Sequence, residues 1–221
     1  MNASTRTHRT LGSLGAVVLS AGLGLVPMTA LADAPYAPPA ADAQATALFK
    51  LGREKKTNYA KDKDSKFKVA RGEIFINAPM KDVKAVVMDY GSYSTFISKF
   101  QKSKILKTTG EVNEVYLQAP ILHGAATIWA VESFAAPAPD GKGEKIVGSM
   151  LKGNVDDLRA TWRMRPVDDK HTVLSLDMYI APKIAAPESL VTAEAEDACG
   201  DGVISVKERA EAAAKTVASK N

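Results

Sequence analysis

The spacing of apolar residues changes period along the chain. Residues 67–76 are rich in β-forming side chains and run into Asn77-Ala78-Pro79, which predicts a strand ending in a turn. Pro79 suits the first turn of a helix, and Val83, Val86, Val87 and Tyr90 then recur at helical spacing over Lys81, Asp82, Lys84 and Asp89. Gly91-Ser92 breaks that helix, and Tyr93, Phe96, Ile97 and Phe100 predict a short second one. Beyond it the period falls to two, in segments near 103–108, 112–119, 125–134, 145–152, 158–166 and 171–180. Gly110, Pro137-Ala138-Pro139-Asp140-Gly141, Gly153-Asn154 and Asp168-Asp169 mark the turns of what reads as an antiparallel meander. The clearest alternation sets Leu158, Ala160, Trp162 and Met164 against Arg159, Thr161, Arg163 and Arg165, one face apolar and the other mainly cationic. After Pro187 an Ala- and Glu-rich helical pattern runs to the C-terminus. The order is strand, two short helices, about six antiparallel strands and a long terminal helix, and a strongly twisted sheet of that length can curl around the helix and leave a space.

Ahead of the first strand the pattern is different. Arg6, His8 and Arg9 precede an uncharged run at 11–26, followed by Ala30-Leu31-Ala32, as in a secretory signal with an A-x-A cleavage site. A membrane anchor would need about 20 sustained apolar residues, and this run is glycine-rich and ends at Pro27. Residues 1–32 are therefore expected to be a signal peptide and the remainder periplasmic or secreted. Residues 33–43, rich in Ala, Pro and Asp, are expected to be a linker without a core, and residues 44–218 the folded domain. Between 50 and 68, eight Lys and Arg stand against three acids, either a solvated edge or a surface drawn to anionic headgroups or an acidic partner.

Composition narrows the chemistry. With 46% hydrophobic and 24% charged residues among 221, the chain is neither collagen-like, coiled-coil nor disordered. A formal net charge of +4, or about +2 without residues 1–32, is too small for a dedicated nucleic-acid binder. The one cysteine, Cys199, excludes an internal disulfide and a Cys-cluster metal site. No G-x-S-x-G, H-E-x-x-H or G-x-G-x-x-G follows residue 32. Only His123 and His171 lie beyond it, each beside a turn, where an imidazole is more often solvated than a general base. Asp177 with Ser175 and Tyr179, and Tyr116 with Gln118, either line an interior space and orient a ligand or form the solvent face.

The residues Asp197-Ala198-Cys199-Gly200-Asp201-Gly202-Val203-Ile204-Ser205-Val206-Lys207-Glu208 have two readings. Asp197, Asp201, Gly202, Ile204, Ser205 and Glu208 fall where a calcium loop wants them, but Cys199 puts a thiol where a hard cation wants oxygen. The other reading keeps them in the terminal helix, at a cost of about 1 kcal/mol for each of Gly200 and Gly202. The helix is the expectation carried forward, and no metal site is assigned.

Ile74-Phe75-Ile76-Asn77-Ala78-Pro79, then Val83, Val86 and Val87, Asp89-Tyr90, Tyr93 and Phe96, and Ser103-Lys104-Ile105-Leu106 carry a resemblance. In them the chain resembles the START-like superfamily of polyketide cyclases and lipid-transfer proteins, in particular its coenzyme Q-binding branch. The likeness spans residues 48–215 and departs at Ile97-Ser98-Lys99, where many relatives carry Leu-Pro and an aromatic, so the lip of the cavity is expected to differ. The resemblance implies an α+β helix-grip fold, a curved antiparallel sheet wrapped around the long C-terminal helix. It implies a hydrophobic small molecule, a lipid, sterol or quinone, held between them for carriage or transfer, with no cofactor and no nucleic acid. A polyketide cyclase- or dehydrase-like enzyme and a calcium-responsive interaction protein are the alternatives; a buried carboxylate or histidine aimed into the cavity would favour the enzyme. The candidate ligand contacts are Leu158, Ala160, Trp162 and Met164, with Tyr116 and Trp129 on neighbouring strands, where the inward phase of Ile128 and Trp129 is open.

Overall fold

The computed structural model describes residues 36–61, 63, 65–121 and 124–218. The expected signal segment with its Ala30-Leu31-Ala32 site, residues 33–35 and His123 lie outside the described residues.

Asp42 opens the first helix, α1 (Ala43–Leu51), by accepting the Ala45 N–H, and Gly52 closes it in the left-handed region. Strands β1 (Lys55–Ala60) and β2 (Lys68–Ile76) follow, then α2 (Met80–Met88), a 3-10 turn (Tyr90–Ser92) and α3 (Tyr93–Phe96). Strands β3 (Lys102–Thr109), β4 (Val112–Ile121), β5 (Ala126–Phe134), β6 (Ala138–Asp140), β7 (Gly143–Gly153), β8 (Val155–Asp168) and β9 (His171–Pro182) lead to α4 (Glu188–Ala218). The sheet runs β1-β2-β9-β8-β7-β5-β4-β3, with β6 folded onto β7, and every pairing is antiparallel. The six strands of the meander stand where the alternation places them. Two strands were not expected: β1, whose Lys55–Ala60 stretch is almost wholly exposed, and the three-residue β6.

The concave face of the sheet holds α4. Val191, Ala195, Cys199, Val203, Val206 and Ala210 are buried at three- and four-residue intervals, one stripe along the helix. They meet Ala70, Ile74 and Ile76 of β2 and Leu174 and Leu176 of β9 in a single core. The approach is close at Gly72, where a Cβ would lie 2.6 Å from the Cys199 carbonyl oxygen, so only a hydrogen fits between strand and helix backbone. Gly202 plays the reciprocal part, since a Cβ there would come within 3.1 Å of Leu176 Cδ2 and 3.4 Å of Trp162 Cη2. Farther along, Asn77 N–H donates to Glu211 Oε1 (2.8 Å) and Arg209 pairs with Asp89 (2.5 Å), fastening α4 to both ends of α2.

The calcium-loop alternative for 197–208 is corrected here. These residues are helical throughout, Cys199 is buried against the Ala70 carbonyl, and Asp197 and Asp201 pair with Lys56 (2.7 Å) and Lys99 (3.5 Å) rather than converging. Among the described residues no helix is long and apolar enough to cross a membrane.

The convex face carries a smaller core. Ala45 and Leu48 of α1 pack on Phe75 and Val173, with Tyr36 and Val167 at the margin. Tyr36 stacks on His171 (3.7 Å between centroids) and donates to Asp168 Oδ2 (2.7 Å). The expectation of no core in 33–43 is therefore corrected from Tyr36 onward: an aromatic ring amid Ala and Pro finds Phe75 and His171, which lie far off in sequence. The basic 50–68 stretch is partly neutralised, with Lys55, Lys56, Lys61 and Lys68 beside Glu73 (3.8 Å), Asp197 (2.7 Å), Asp157 (3.3 Å) and Glu188 (3.8 Å).

Candidate functional site

Between the concave face and the first half of α4 lies a cavity of about 120 Å³. One end is bordered by half-buried Pro120 and Ile121 and by exposed Ile184, the other by buried Tyr93, Ala130, Glu132, Phe134 and Trp162. Leu117, Ile128, Leu158, Ala160 and Leu176 supply most of the wall between them. The volume is slightly below the ~150 Å³ of an engineered cavity that takes benzene, and well below the ~300–1,000 Å³ of a typical ligand pocket. In this state the space admits one ring, not a sterol.

The expected contacts separate into three groups. Leu158, Ala160 and Trp162 line the cavity, as their alternation on β8 requires. Met164, next on the same face, is fully buried and lies outside the wall: it belongs to the solid core beyond the cavity's inner end. Tyr116 also lies outside the wall. Register explains this, because Leu117 pairs with Ala130 on the inner face, leaving Tyr116 and the Gln118–Trp129 pair on the other. Trp129 borders the space at its edge, while its ring stacks on Tyr116 (6.1 Å, 23°). The inward phase of β5 is therefore Ile128, Ala130, Glu132 and Phe134.

Sequence reasoning missed Glu132. Its side chain is 3% exposed, and Oε2 has no hydrogen-bond partner. Three other buried side-chain polar atoms among the described residues share that condition, but none of them lines the cavity. Burial pushes the Glu132 carboxyl up to about 8, so at neutral pH it is mainly the uncharged acid. Gly148 on β7 makes room for it, since a Cβ there would lie 2.9 Å from Oε2 and 2.8 Å from a Phe134 ring carbon. The other polar side chains of the wall include half-buried Lys99, Gln118 and Glu194, and Lys99 pairs with Asp201 (3.5 Å). The Tyr93 hydroxyl donates to the Val87 carbonyl (2.5 Å), and Gln118 accepts from Tyr116 (2.9 Å) and donates to Gln101 (3.2 Å). The one legible signal was a single acid inside Ala130-Val131-Glu132-Ser133-Phe134, and the apolar residues on both sides of it hid its phase.

Asp177 and its neighbours take the face away from the cavity. Asp177 pairs in register with Arg71 and Thr161, accepts from Arg71 (2.5 and 2.8 Å) and Tyr59 (3.0 Å), and also pairs with Arg163. Burial raises its carboxyl, but the Arg71 hydrogen bonds and charge, with Arg163 and Tyr59, outweigh it and hold it below the usual carboxylate range. It is a structural ion cluster, neither a cavity group nor open solvent face. His171 sits on the convex side, held by Tyr36 and by Asp168 (2.7 Å).

A curved antiparallel sheet gripping a long helix over an apolar space defines a helix-grip domain. The chain belongs to the polyketide cyclase/dehydrase and lipid-transport family, whose pattern matches residues 76–204, more than half of it. Solved structures share the fold. A STAR-related lipid transfer protein of Xanthomonas axonopodis is 16% identical, over 71% of this chain and 93% of that one, with a TM-score of 0.62. Human StAR-related lipid transfer protein 5 is 10% identical, over 72% and 82%, with a TM-score of 0.59. The Zhui aromatase/cyclase of Streptomyces sp. R1128 is 16% identical, over 72% and 94%, with a TM-score of 0.54. No curated protein sequence matches this one.

Proposed function

We propose that this protein is a carrier of a hydrophobic small molecule, a sterol, quinone or other lipid, held between sheet and α4. The observation that carries the reading is the cavity wall itself, apolar from Leu117 to Leu176 and broken in its buried part by one acid. Leu158, Ala160 and Trp162 are the contacts assigned to the ligand, with Trp129 at the edge. A ligand larger than one ring needs the 182–187 segment or the start of α4 to swing out, and exposed Ile184 and Leu190 flank that end. Delivery would bring the basic 50–68 stretch against anionic headgroups. The signal pattern at 1–32 supports export to the periplasm or beyond, and intact mass of exported protein is expected to show Asp33 as the first residue. Retention of residues 1–32 in a membrane fraction would make it a tethered carrier.

Ala160→Phe tests the ligand site. A phenyl ring placed there fills the space, so binding is expected to fall at least about tenfold while stability drops by ~1–3 kcal/mol. Binding is read from the fluorescence of Trp129 and Trp162, both beside the cavity and separable by single Trp→Phe changes. If the parent binds no sterol, quinone or phospholipid and Ala160→Phe is severely destabilised, the interior is solid and the carrier reading fails.

A second reading, a cyclase-like enzyme, is favoured by Glu132, a buried acid in the wall with a raised pKa. Against it, no histidine lines the cavity among the described residues, and the second carboxylate of the wall, Glu194, is only half-buried. Conversion of a linear polyketide substrate, lost in Glu132→Gln, would move the enzyme ahead of the carrier.

A further inference from the structure

We propose that Glu132 is the anchor for the polar end of the ligand, which enters headgroup first and carries an uncharged carbonyl or hydroxyl group rather than a phosphate or another ion. The inference rests on the carrier reading. Its first support is position. Half-buried Ile128 is the first residue of β5 in the wall, and four residues at ~3.3 Å each put buried Glu132 about 13 Å further along the strand. Its second support is the unmet hydrogen bond. Oε2 is buried without a partner in the part of the wall formed by Ala130, Phe134 and Trp162, a condition that costs a protein stability and persists where something else completes it.

The charge of the headgroup follows from what surrounds the acid. Among the described residues none of the ion pairs includes Glu132, and burial alone moves its pKa. An anionic head would meet an acid with no cation paired to it, since the lysine of the wall, half-buried Lys99, is paired with Asp201 (3.5 Å). A cationic head would have to form an ion pair among the buried apolar side chains around Glu132, where desolvation outweighs attraction. A neutral carboxyl can donate to a carbonyl, or donate to and accept from a hydroxyl, without either cost.

The test uses the whole exported chain and three probes of one ring each, pentylbenzene, 4-pentylphenol and 4-pentylbenzoate, titrated by calorimetry into the parent, Glu132→Gln and Glu132→Leu. The parent is expected to prefer the phenol over pentylbenzene by about tenfold beyond their difference in water solubility, and to reject the benzoate. Glu132→Gln, which keeps an uncharged hydrogen-bonding head, is expected to retain most of that preference. Glu132→Leu is expected to abolish it while binding pentylbenzene at least as well as the parent, which shows that the variant is folded and the cavity intact. Pentylbenzene and the phenol binding the parent alike, the benzoate binding as tightly as the phenol, or a preference that survives Glu132→Leu each overturns the anchor and leaves the carrier standing. No binding of any probe or lipid overturns both.

Discussion

Glu132→Leu is expected to make the ligand-free protein more stable, and by an amount that grows with pH. The carboxyl is buried and Oε2 unpartnered, so even uncharged it costs about 1–3 kcal/mol that a leucine of similar size does not. Its charge adds a second cost. The group titrates near its ordinary value of 4.5 when unfolded and near about 8 when folded, so between those values the native state holds a proton that the unfolded state has released. Stability of the parent must then fall as pH rises through that window, at up to about 1.4 kcal/mol per pH unit, and level off above it. Urea denaturation at pH 5 and pH 9 is expected to show Glu132→Leu ahead at both and by several kcal/mol more at pH 9. The opposing case, Asp177, does not enter this window. Its folded pKa is lowered, so its contribution is present above the ordinary carboxylate range and disappears only as pH falls below it. A Glu132→Leu protein less stable than the parent at both pH values would mean that the carboxyl is satisfied within the protein, and the case for an external partner would go with it.

Gly72→Ala is expected to cost about 2–4 kcal/mol, a large effect for one methyl group. The new Cβ would sit 2.6 Å from the Cys199 oxygen and 2.7 Å from its carbonyl carbon, and both are backbone atoms of α4 with no rotamer to yield. The helix must lift, and with it Val191 and Ala195, which close the cavity. The expected result is a lowered denaturation midpoint together with a changed emission from Trp162, whose ring lies under Gly202. Gly91→Ala is the control. Its Cβ would meet nothing nearer than 3.8 Å, so a change within about 0.5 kcal/mol is expected. Equal stability of Gly72→Ala and the parent would show that α4 floats on the sheet rather than resting on β2.

The parts legible in the sequence were those with one wet and one dry face. β8 alternates apolar against mainly cationic residues, so its inward set could be named outright, and the buried stripe of α4 recurs at helical spacing. β5 resisted because Trp129 and Val131 are as apolar as Ala130 and Phe134, and only pairing with β4 separates the faces. Register also decides why Tyr116 is outside the wall, and the reach of the cavity decides why Met164 is; neither quantity is written in a single strand. β1 escaped notice because an edge strand needs no apolar side: Lys-Lys-Thr-Asn-Tyr-Ala is held by backbone pairing with β2 and by charges from α4. The docking of Tyr36 and α1 depends on an apolar patch of Phe75 and Val173, which belong to strands adjacent in space and about 100 residues apart.

That last adjacency sets the order in which the chain becomes a protein. β2 has β9 for its inner neighbour, from Ala70 against Met178 to Ile76 against Thr172, so the sheet's two halves are joined by strands from opposite ends of the domain. Closing a loop of about 100 residues costs on the order of 4 kcal/mol in chain entropy before any contact repays it. A growing chain therefore reaches the end of β8 with β2 still lacking its inner neighbour, and it cannot bury Ala70, Ile74 and Ile76 under a helix that has not been made. Synthesis runs from β2 to α4, whereas folding must wait for α4 before β2 has a place.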